Sequence, residues 1–426
     1  MTLVDVVVIG AGPGGLAVAA SLRAAGVGAL VLDRAESVGS SWRRHYDRLH
    51  LHTPRRWSAL PGLEIPRRFG RWVARDDVVA YLEQYAAHHR LDLRFGATVE
   101  RLERVVPAAP AEDDAEGRVA DVGAADPGDG ARWAVRLAGG DTVRARHVVV
   151  ATGYNHTPVV PQWPGLDTFP GQVVLARDYR NGRPFAGRDV LVVGTGNTGT
   201  EIATDLAEHG ATRVWLAVRT PPHIVARTRL GWPAQGTGIL VRRLPPTVVD
   251  RLAGVLSVVQ EPDLSEHGMP RADHDLYSRV LAGRVPVQDV GIVAAIRAGR
   301  VEPVAAVERV EDGAVVLADG TRLRPDAVVV ATGYRSGLEP LVGHLGVLDA
   351  RELPLVHGAH EAPGAPGLWF TGFTNPISGM LRELRIDAER IAGRIAAAGT
   401  DTGTGTGRGS GRGTVAGEAT GARVPR

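Results

Sequence analysis

The chain carries the same glycine pattern, G-x-G-x-x-G, at two places. The first copy, residues 10–15, follows the strand-like run of residues 4–9, and the second copy, residues 194–199, follows the strand-like run of residues 189–193. Both runs are apolar except for Asp5 and Asp189. A stretch with helical periodicity comes directly after each copy. A buried strand, a tight glycine turn and a helix in this order begin a βαβ unit. The sequence therefore predicts an α/β fold that contains two copies of one plan.

The glycines of the first copy have separate roles in such a turn. Gly10 permits the tight turn, Gly12 lets backbone amides approach a pyrophosphate, and Gly15 lets the helix pack close to the strand. Gly14 belongs to the same turn. Asp33 ends the next strand, where a carboxylate accepts hydrogen bonds from ribose hydroxyls. A glycine turn of purely steric origin is the alternative, but the flanking strand and helix favour dinucleotide binding.

The second copy predicts a different dinucleotide. Its turn contains Gly194, Gly196 and Gly199, with Asn197 inside it, and the following strand ends at Arg219 instead of at an acid. A carboxylate would repel a 2′-phosphate, whereas an arginine pairs with it in a bidentate manner. The pattern favours NADPH over NADH, and a solvated arginine at the strand end is the alternative. Since chains with two such units generally hold a flavin in the first, we expect FAD there.

The two units imply a domain plan. We predict two Rossmann-like, three-layer dinucleotide-binding domains, with the NADPH domain inserted into the FAD domain. The FAD domain is expected to be discontinuous, at residues 1–155 and 325–397, and the NADPH domain to cover residues 180–320. Residues 107–130, rich in Ala, Asp, Glu, Pro and Gly, predict a flexible acidic insertion. Residues 398–426 lack apolar periodicity and predict a disordered tail.

Composition excludes several kinds of chemistry. The chain has neither Cys nor Lys, so thiolate metal sites, redox-active cysteine pairs and Schiff-base chemistry are excluded. No residue cluster predicts a metal site. The net charge of +2 and the absence of a nucleic-acid motif argue against nucleic-acid binding. No apolar stretch reaches the length of a membrane span, and we expect a cytoplasmic protein, with a homodimer left open.

Several motifs resemble those of the flavin-containing monooxygenases, the class B flavoprotein monooxygenases. Asp33-Arg34 with Trp42, residues 46–54, and Phe169 with Gly171 and Tyr179 are similar to the family's motifs, closest to those of YUCCA-type plant enzymes and their bacterial relatives. The similarity runs from residue 4 to about residue 395. Leu175 departs from the pattern, because the family has a His at that position.

The resemblance implies a reaction and a set of residues. NADPH reduces FAD, O2 gives a C4a-peroxyflavin, and one oxygen atom is inserted into a small organic substrate. Arg34 and Trp42 would lie at the flavin, as would Gly372 and Asn375 before the last helix. Thr152 and Gly153, in the Ala-Thr-Gly motif that ends a strand, would contact the cofactor. His52 and Asn197 are the catalytic candidates, although a His that only caps or packs is an equal alternative for His52.

The basic and aromatic character of residues 42–75 suits an anionic or aromatic substrate, but a solvated face or contacts to cofactor phosphates are the favoured explanation of that segment. Two other functions stay open. One is an NAD(P)H-dependent flavoprotein reductase that passes electrons to a protein or small-molecule acceptor. The other is a non-catalytic flavoprotein, which the Leu175 departure suggests. A Baeyer–Villiger enzyme is a variant of the monooxygenase hypothesis, and Tyr179 weighs mildly against it.

Overall fold

The structure is a computed structural model that describes residues 3–105, 130–241, 262–272 and 285–401. The expected insertion at 107–130 lies outside the described residues except for Gly130, and so does the expected tail from residue 402 onward. The described strands are β1 (Leu3–Ile9), β2 (Ala29–Leu32), β3 (Asp92–Arg94), β4 (Val99–Arg104), β5 (Trp133–Leu137), β6 (Thr142–Val150), β7 (Thr157–Pro158), β8 (Gln172–Leu175), β9 (Asp189–Val193), β10 (Arg213–Val218), β11 (Ile224–Ala226), β12 (Thr228–Arg229), β13 (Trp232–Pro233), β14 (Val287–Asp289), β15 (Glu302–Ala305), β16 (Val307–Glu311), β17 (Ala314–Leu317), β18 (Arg322–Leu323), β19 (Ala327–Val330), β20 (Tyr334–Arg335) and β21 (Leu368–Phe370). The described α-helices are α1 (Pro13–Ala24), α2 (Ser40–Arg43), α3 (Arg75–His88), α4 (Asn197–Glu208), α5 (Ala234–Val241), α6 (Ile292–Arg297), α7 (Glu339–Val342) and α8 (Met380–Asp401).

The first sheet has the strand order β3-β2-β1-β6-β5-β4, and β21 pairs with the end of β6. The strands β3, β2, β1 and β6 are parallel to one another, whereas β5 is antiparallel to its neighbours β6 and β4. Successive residues of β1 point to opposite faces. Val6 and Val8 pack under helices α1, α3 and α8, and Val7 and Ile9 face the β4–β5 hairpin and α7. Burial on both faces explains why the last four residues of this strand form an unbroken apolar run.

The second sheet repeats this plan with the order β15-β10-β9-β19-β8, all parallel. Val190 and Val192 of β9 pack against α4 and α6. Leu191 and Val193 face the opposite way, toward the three-stranded sheet β16-β17-β18. Each unit therefore has three layers around a parallel sheet.

Two strands of the second sheet fall outside the range expected for the NADPH domain. β8 precedes residue 180, and β19 follows residue 325, yet both belong to the second sheet. β19 occupies beside β9 the position that β6 occupies beside β1, and both strands run into an Ala-Thr-Gly motif. The pairing therefore places residues 172–175 and 327–330 in the second sheet, outside the expected range of 180–320. α8 also continues to Asp401, past the boundary expected at residue 397.

Within the described part of the chain, no helix combines the length and the apolar character that crossing a bilayer requires.

Candidate functional site

A cavity of about 1750 Å³ is lined by residues from both glycine turns. Gly10, Gly12 and Gly14 contribute from the first turn, and Asn197 contributes from the second. The remaining wall comes mainly from residues 40–53, 151–156, 225–238 and 371–384. The carboxyl ends of parallel strands form the ligand-binding edge of such sheets. One cavity therefore reaches the binding edges of both dinucleotide-binding units.

The first turn has the geometry that a pyrophosphate site requires. Gly10 has φ +111°, and a Cβ on it would lie 2.6 Å from the Ala151 carbonyl oxygen. A Cβ on Gly15 would lie 1.8 Å from the Gly10 carbonyl oxygen. A Cβ on Gly12 would meet nothing within 4 Å, so the space beside this backbone is open to the cavity. With the N-terminus of α1 at Pro13, the open side offers free amides to an anion.

The second turn repeats these contacts. Gly194 has φ +119°, and its Cβ would lie 2.3 Å from the Ala331 carbonyl oxygen. A Cβ on Gly199 would lie 1.9 Å from the Gly194 carbonyl oxygen, and Gly196 again faces open space. The alanines of the two Ala-Thr-Gly motifs thus lie against the first glycine of each turn. Sequence reasoning missed this role, although the recurrence of the motif after each unit was the available signal.

Other predicted flavin-binding residues lie on the cavity wall: Asp33, Arg34, Trp42, Thr152, Gly153, Gly372 and Asn375. The Asp33 carboxylate accepts hydrogen bonds from Ala11 N at 2.6 Å and from Ala35 N at 2.8 Å, which fixes it beside the first turn. The Thr152 hydroxyl is buried and has no hydrogen-bond partner among the described residues. Trp42 is half-buried and packs edge-on against His45, with ring centroids 5.9 Å apart.

Five predicted residues lie outside the wall itself: Gly15, Gly194, Gly196, Gly199 and Arg219. Gly15 and Gly199 lie where α1 and α4 pack on their strands, and they affect the cavity only through the position of the turn. Arg219 is exposed just after β10. The Thr195 hydroxyl donates to the Thr220 carbonyl at 3.3 Å, so the segment that carries Arg219 lies beside the second turn.

Asn197 has a structural contact that the sequence did not indicate. Its side-chain oxygen accepts from Gln288 N at 2.8 Å, and its side-chain nitrogen donates to the Pro286 carbonyl at 3.2 Å. Both ends of the amide are therefore engaged with the backbone at the start of β14. The described structure gives Asn197 a positioning contact in the cavity wall instead of a free catalytic group.

His52 is paired with an acid that sequence reasoning missed. Its Nε2 lies 2.6 Å from Oε1 of Glu201, whose side chain is only 3% exposed. Glu201 lies on α4, two residues after Gly199, and is separated from His52 by 149 residues in the chain. A charged residue on the buried face of a dinucleotide-binding helix was the available signal, because such a group is almost never buried without a partner.

The surroundings of this pair shift several other groups. Burial, reinforced by Glu201, raises the pKa of the Tyr46 phenol well above its ordinary value. Burial and the positive charge of Arg75 lower the pKa of His45 to about 4, so that ring is neutral at pH 7. Burial lowers the pKa of Arg227 to about 10, although Glu201 opposes the shift. Arg227 also lies over the Trp72 ring at 3.9 Å and donates to the Leu51 carbonyl at 2.6 Å.

The family signature lies apart from the cavity wall. The Tyr179 hydroxyl donates to the buried Asp205 carboxylate of α4 at 2.6 Å. Leu175, which stands where the family has His, pairs with Val330 in the second sheet and packs against its apolar core. Neither residue lines the cavity. The departure at Leu175 therefore changes a sheet edge and leaves the cavity wall intact.

The described wall carries an excess of positive charge. Its formally charged residues are the arginines Arg34, Arg44, Arg177 and Arg229 and the acids Asp33 and Glu100. Arginine stays protonated at any physiological pH and pairs well with phosphates and carboxylates. The cavity is therefore suited to anionic ligands, and both dinucleotides are anionic. The described residues contain no cluster of His, Asp or Glu that could hold a metal ion.

Comparisons with known proteins agree with this geometry. Residues 4–342 match the family described as flavin-binding monooxygenase-like. The indole-3-pyruvate monooxygenase YUCCA1 of Oryza sativa subsp. japonica is 39% identical over 372 residues, which cover 86% of each chain. A flavin-containing monooxygenase from Stenotrophomonas maltophilia has a similar structure, with TM-score 0.65 and 26% identity, covering 92% of this chain and 99% of that one.

The chain belongs to the flavin-binding monooxygenase-like family. The predicted resemblance and the predicted α/β fold are confirmed. A bacillithiol disulfide reductase from Staphylococcus aureus also matches, with TM-score 0.64 at 14% identity, covering 93% of this chain and 99% of that one. Because reductases share the fold, the sequence relatives identify the activity. The enzyme is a flavin-dependent monooxygenase that uses FAD and NADPH.

A matched pair of variants tests the first glycine turn. Gly15→Ala forces the backbone to move and should destabilise the apoprotein by about 1–3 kcal/mol. Gly12→Ala has room for its methyl group, but the methyl would face the pyrophosphate. It should leave the melting temperature unchanged while the Kd for FAD rises about tenfold or more, a loss of about 1.4 kcal/mol. Thermal unfolding of the apoproteins and FAD titration measure both effects, and equal destabilisation of the two variants would contradict this assignment.

Proposed function

We propose that FAD lies along the first glycine turn, NADPH lies along the second, and their reacting rings meet in the shared cavity. The observation that carries this proposal is the single cavity lined by Gly12 of one unit and Asn197 of the other. The loop of residues 371–379, which leads into α8, would border the flavin ring through Gly372 and Asn375. By strand pairing, the NADPH domain would span residues 172–330, and the FAD domain would contain the chain on either side.

We propose an aromatic α-keto acid as the substrate, as in the name of the indole-3-pyruvate monooxygenase relative. Arg229 and Trp232 lie on the cavity wall, at the ends of β12 and β13. Trp232 is 47% exposed, and its ring makes an edge contact with that of Trp57, with ring centroids 6.1 Å apart. An arginine can pair with the carboxylate while an indole or phenyl ring packs on the tryptophan.

FAD, when bound, supplies the chemistry that activates oxygen, and the protein supplies geometry. The glycine turns bind the two pyrophosphates through backbone amides. The arginines of the wall neutralise the phosphates and orient the substrate carboxylate. The apolar part of the wall, which includes Leu51, Met380 and Leu384, would help to keep water from the reacting rings.

A cytoplasmic location, a homodimer and the absence of nucleic-acid binding stay predictions from the sequence.

The function is tested by incubating the FAD-loaded protein with NADPH, indole-3-pyruvate and 18O2. We expect a product that carries one atom of 18O for each NADPH consumed, with the second 18O atom in water. NADPH consumption that yields only hydrogen peroxide would contradict this substrate class. Efficient transfer of electrons to an added acceptor, without labelled product, would instead support the reductase alternative.

The choice of NADPH over NADH is predicted to depend on Arg219. Arg219→Ala should raise the Kd for NADPH about tenfold or more, because a hydrogen bond to a charged group contributes about 1.5–3 kcal/mol. The Kd for NADH should not change. Arg213→Ala, at the opposite end of β10 and equally exposed, is the matched control. Titration with the two nucleotides measures these constants, and an equal loss of affinity for both would show that Arg219 does not contact the 2′-phosphate.

Arg229 is predicted to select the carboxylate of the substrate. Arg229→Ala should raise the KM for indole-3-pyruvate about tenfold, the equivalent of about 1.4 kcal/mol. The KM for a neutral aromatic ketone should not change, because this substrate has no carboxylate for Arg229 to bind. Arg188→Ala, which removes an exposed arginine outside the cavity wall, serves as control. Steady-state kinetics with both substrates test the assignment, which fails if both KM values rise together.

A further inference from the structure

His52 forms part of the boundary between two cavities. A second cavity of about 290 Å³ adjoins the first and is lined by Arg48, His50, His52, Glu201, Glu208, Arg227 and Val290. Among the described residues, His50 and His52 line both cavities. Arg48 and Glu208, which form an ion pair at 2.7 Å across the second cavity, are partly exposed. The second cavity therefore connects the His52 region with the protein surface.

The stoichiometry of the reaction requires a proton from solvent. NADPH supplies a hydride, which carries two electrons. One atom of O2 is bonded to the substrate, and the other leaves as water. Two hydrogens are needed for that water, and the hydride provides the equivalent of one. The other is a proton that must enter a cavity built to keep water out.

The two nitrogens of His52 have different surroundings. Nε2 is paired with Glu201 at 2.6 Å. Nδ1 has no hydrogen-bond partner among the described residues, and the side chain is 22% exposed. The hydrogen bond at one nitrogen sets the tautomer and the orientation of an imidazole ring. Because its partner Glu201 is only 3% exposed, this ring has a fixed position.

We propose, given the monooxygenase function, that His52 carries this proton from the second cavity into the main cavity and that Glu201 is the residue that positions it. The imidazolium is held through Nε2–H by the Glu201 carboxylate. Its Nδ1–H proton is released toward the reacting oxygen, which breaks the N–H bond and leaves the neutral ring. A proton from solvent, carried by water through the second cavity, then returns to Nδ1 and restores the imidazolium. No other oxidant or reductant is needed.

The groups around the pair support this role. Tyr46 faces Glu201 from the same segment as His52, and Glu201 helps to raise its pKa, so the phenol stays protonated as a donor to the carboxylate. His45 is neutral at pH 7 because its pKa is lowered to about 4. Arg227, from the segment after β11, contributes a positive charge near Glu201. Arg48, His50 and Glu208 complete the second cavity.

The first test is a double-mutant cycle with solvent isotope effects. His52→Gln should lower the rate of product formation about 100-fold, within the range for a lost general acid. Glu201→Gln should cause a large part of that loss, and adding it to His52→Gln should cause almost no further loss. The solvent isotope effect on product formation should change in both single variants. Additive losses with an unchanged isotope effect would overturn the proposal.

Asp205→Asn is the matched control for loss of a buried carboxylate. Asp205 lies on the same helix, is equally buried and bonds to Tyr179 outside both cavities. Asp205→Asn should lower the melting temperature as Glu201→Gln does, but its solvent isotope effect should equal that of the wild type. If Asp205→Asn changes the isotope effect as Glu201→Gln does, the effect comes from a disturbed helix and the proposal fails.

The second test needs neither cofactor nor activity. Two-bond 1H–15N correlation spectra of the apoprotein report which nitrogen of a neutral imidazole carries the proton, and His52→Gln identifies the His52 signal. We expect the Nε2–H form in the wild type and a mixture of tautomers in Glu201→Gln. An unchanged tautomer in Glu201→Gln would overturn the positioning role. Product formation by the wild type is measured separately, so failure of the proposed function is distinguished from failure of this inference.

Discussion

The structure depends on two places where backbone meets backbone without room for a side chain. A Cβ on Gly15 would lie 1.8 Å from the Gly10 carbonyl oxygen, and a Cβ on Gly199 would lie 1.9 Å from that of Gly194. These approaches set how closely α1 and α4 pack on β1 and β9. Each helix N-terminus is thereby directed at the open side of its turn, where the pyrophosphate amides are. The proposed binding of both dinucleotides rests on this one steric condition, which occurs twice.

The second constraint is the contact between the two units. The segment that contains His52 belongs to the first unit, but its polar side chains bond to α4 of the second. Arg48 pairs with Glu208 at 2.7 Å, and His52 pairs with Glu201 at 2.6 Å. A buried carboxylate is costly unless it is paired, and removal of its partner leaves an uncompensated charge. The Glu201 pair therefore stabilises one relative placement of flavin-side and nicotinamide-side residues.

Much of the fold was predictable because it depends on local patterns. Buried parallel strands appear in the sequence as apolar runs, and the glycine turns are required by sterics, so both units and the two cofactors follow from the sequence. Twelve of the predicted site residues lie on the described cavity wall, but most of the wall was not predicted. The sheet to which β19 belongs did not follow from the sequence, because β19 resembles β6 yet pairs in the other sheet. Glu201 was not found, since its partner is 149 residues away and only the fold brings the two together. Asn197 was found, but its engaged amide was not foreseen.

The chain has neither Cys nor Lys, and the described residues show no metal cluster. The groups on its cavity wall that can move a proton at neutral pH are therefore mainly histidines. Of these, His45 is neutral because burial and Arg75 lower its pKa to about 4, and the pKa of His156 is also lowered by burial. The Nδ1 atom of His50 pairs with the Arg48 carbonyl oxygen at 2.7 Å. His52 differs from these three histidines in having a carboxylate partner. In an enzyme whose redox chemistry belongs to the bound flavin, the protein's own acid–base contribution is thus concentrated at the histidine that α4 supports.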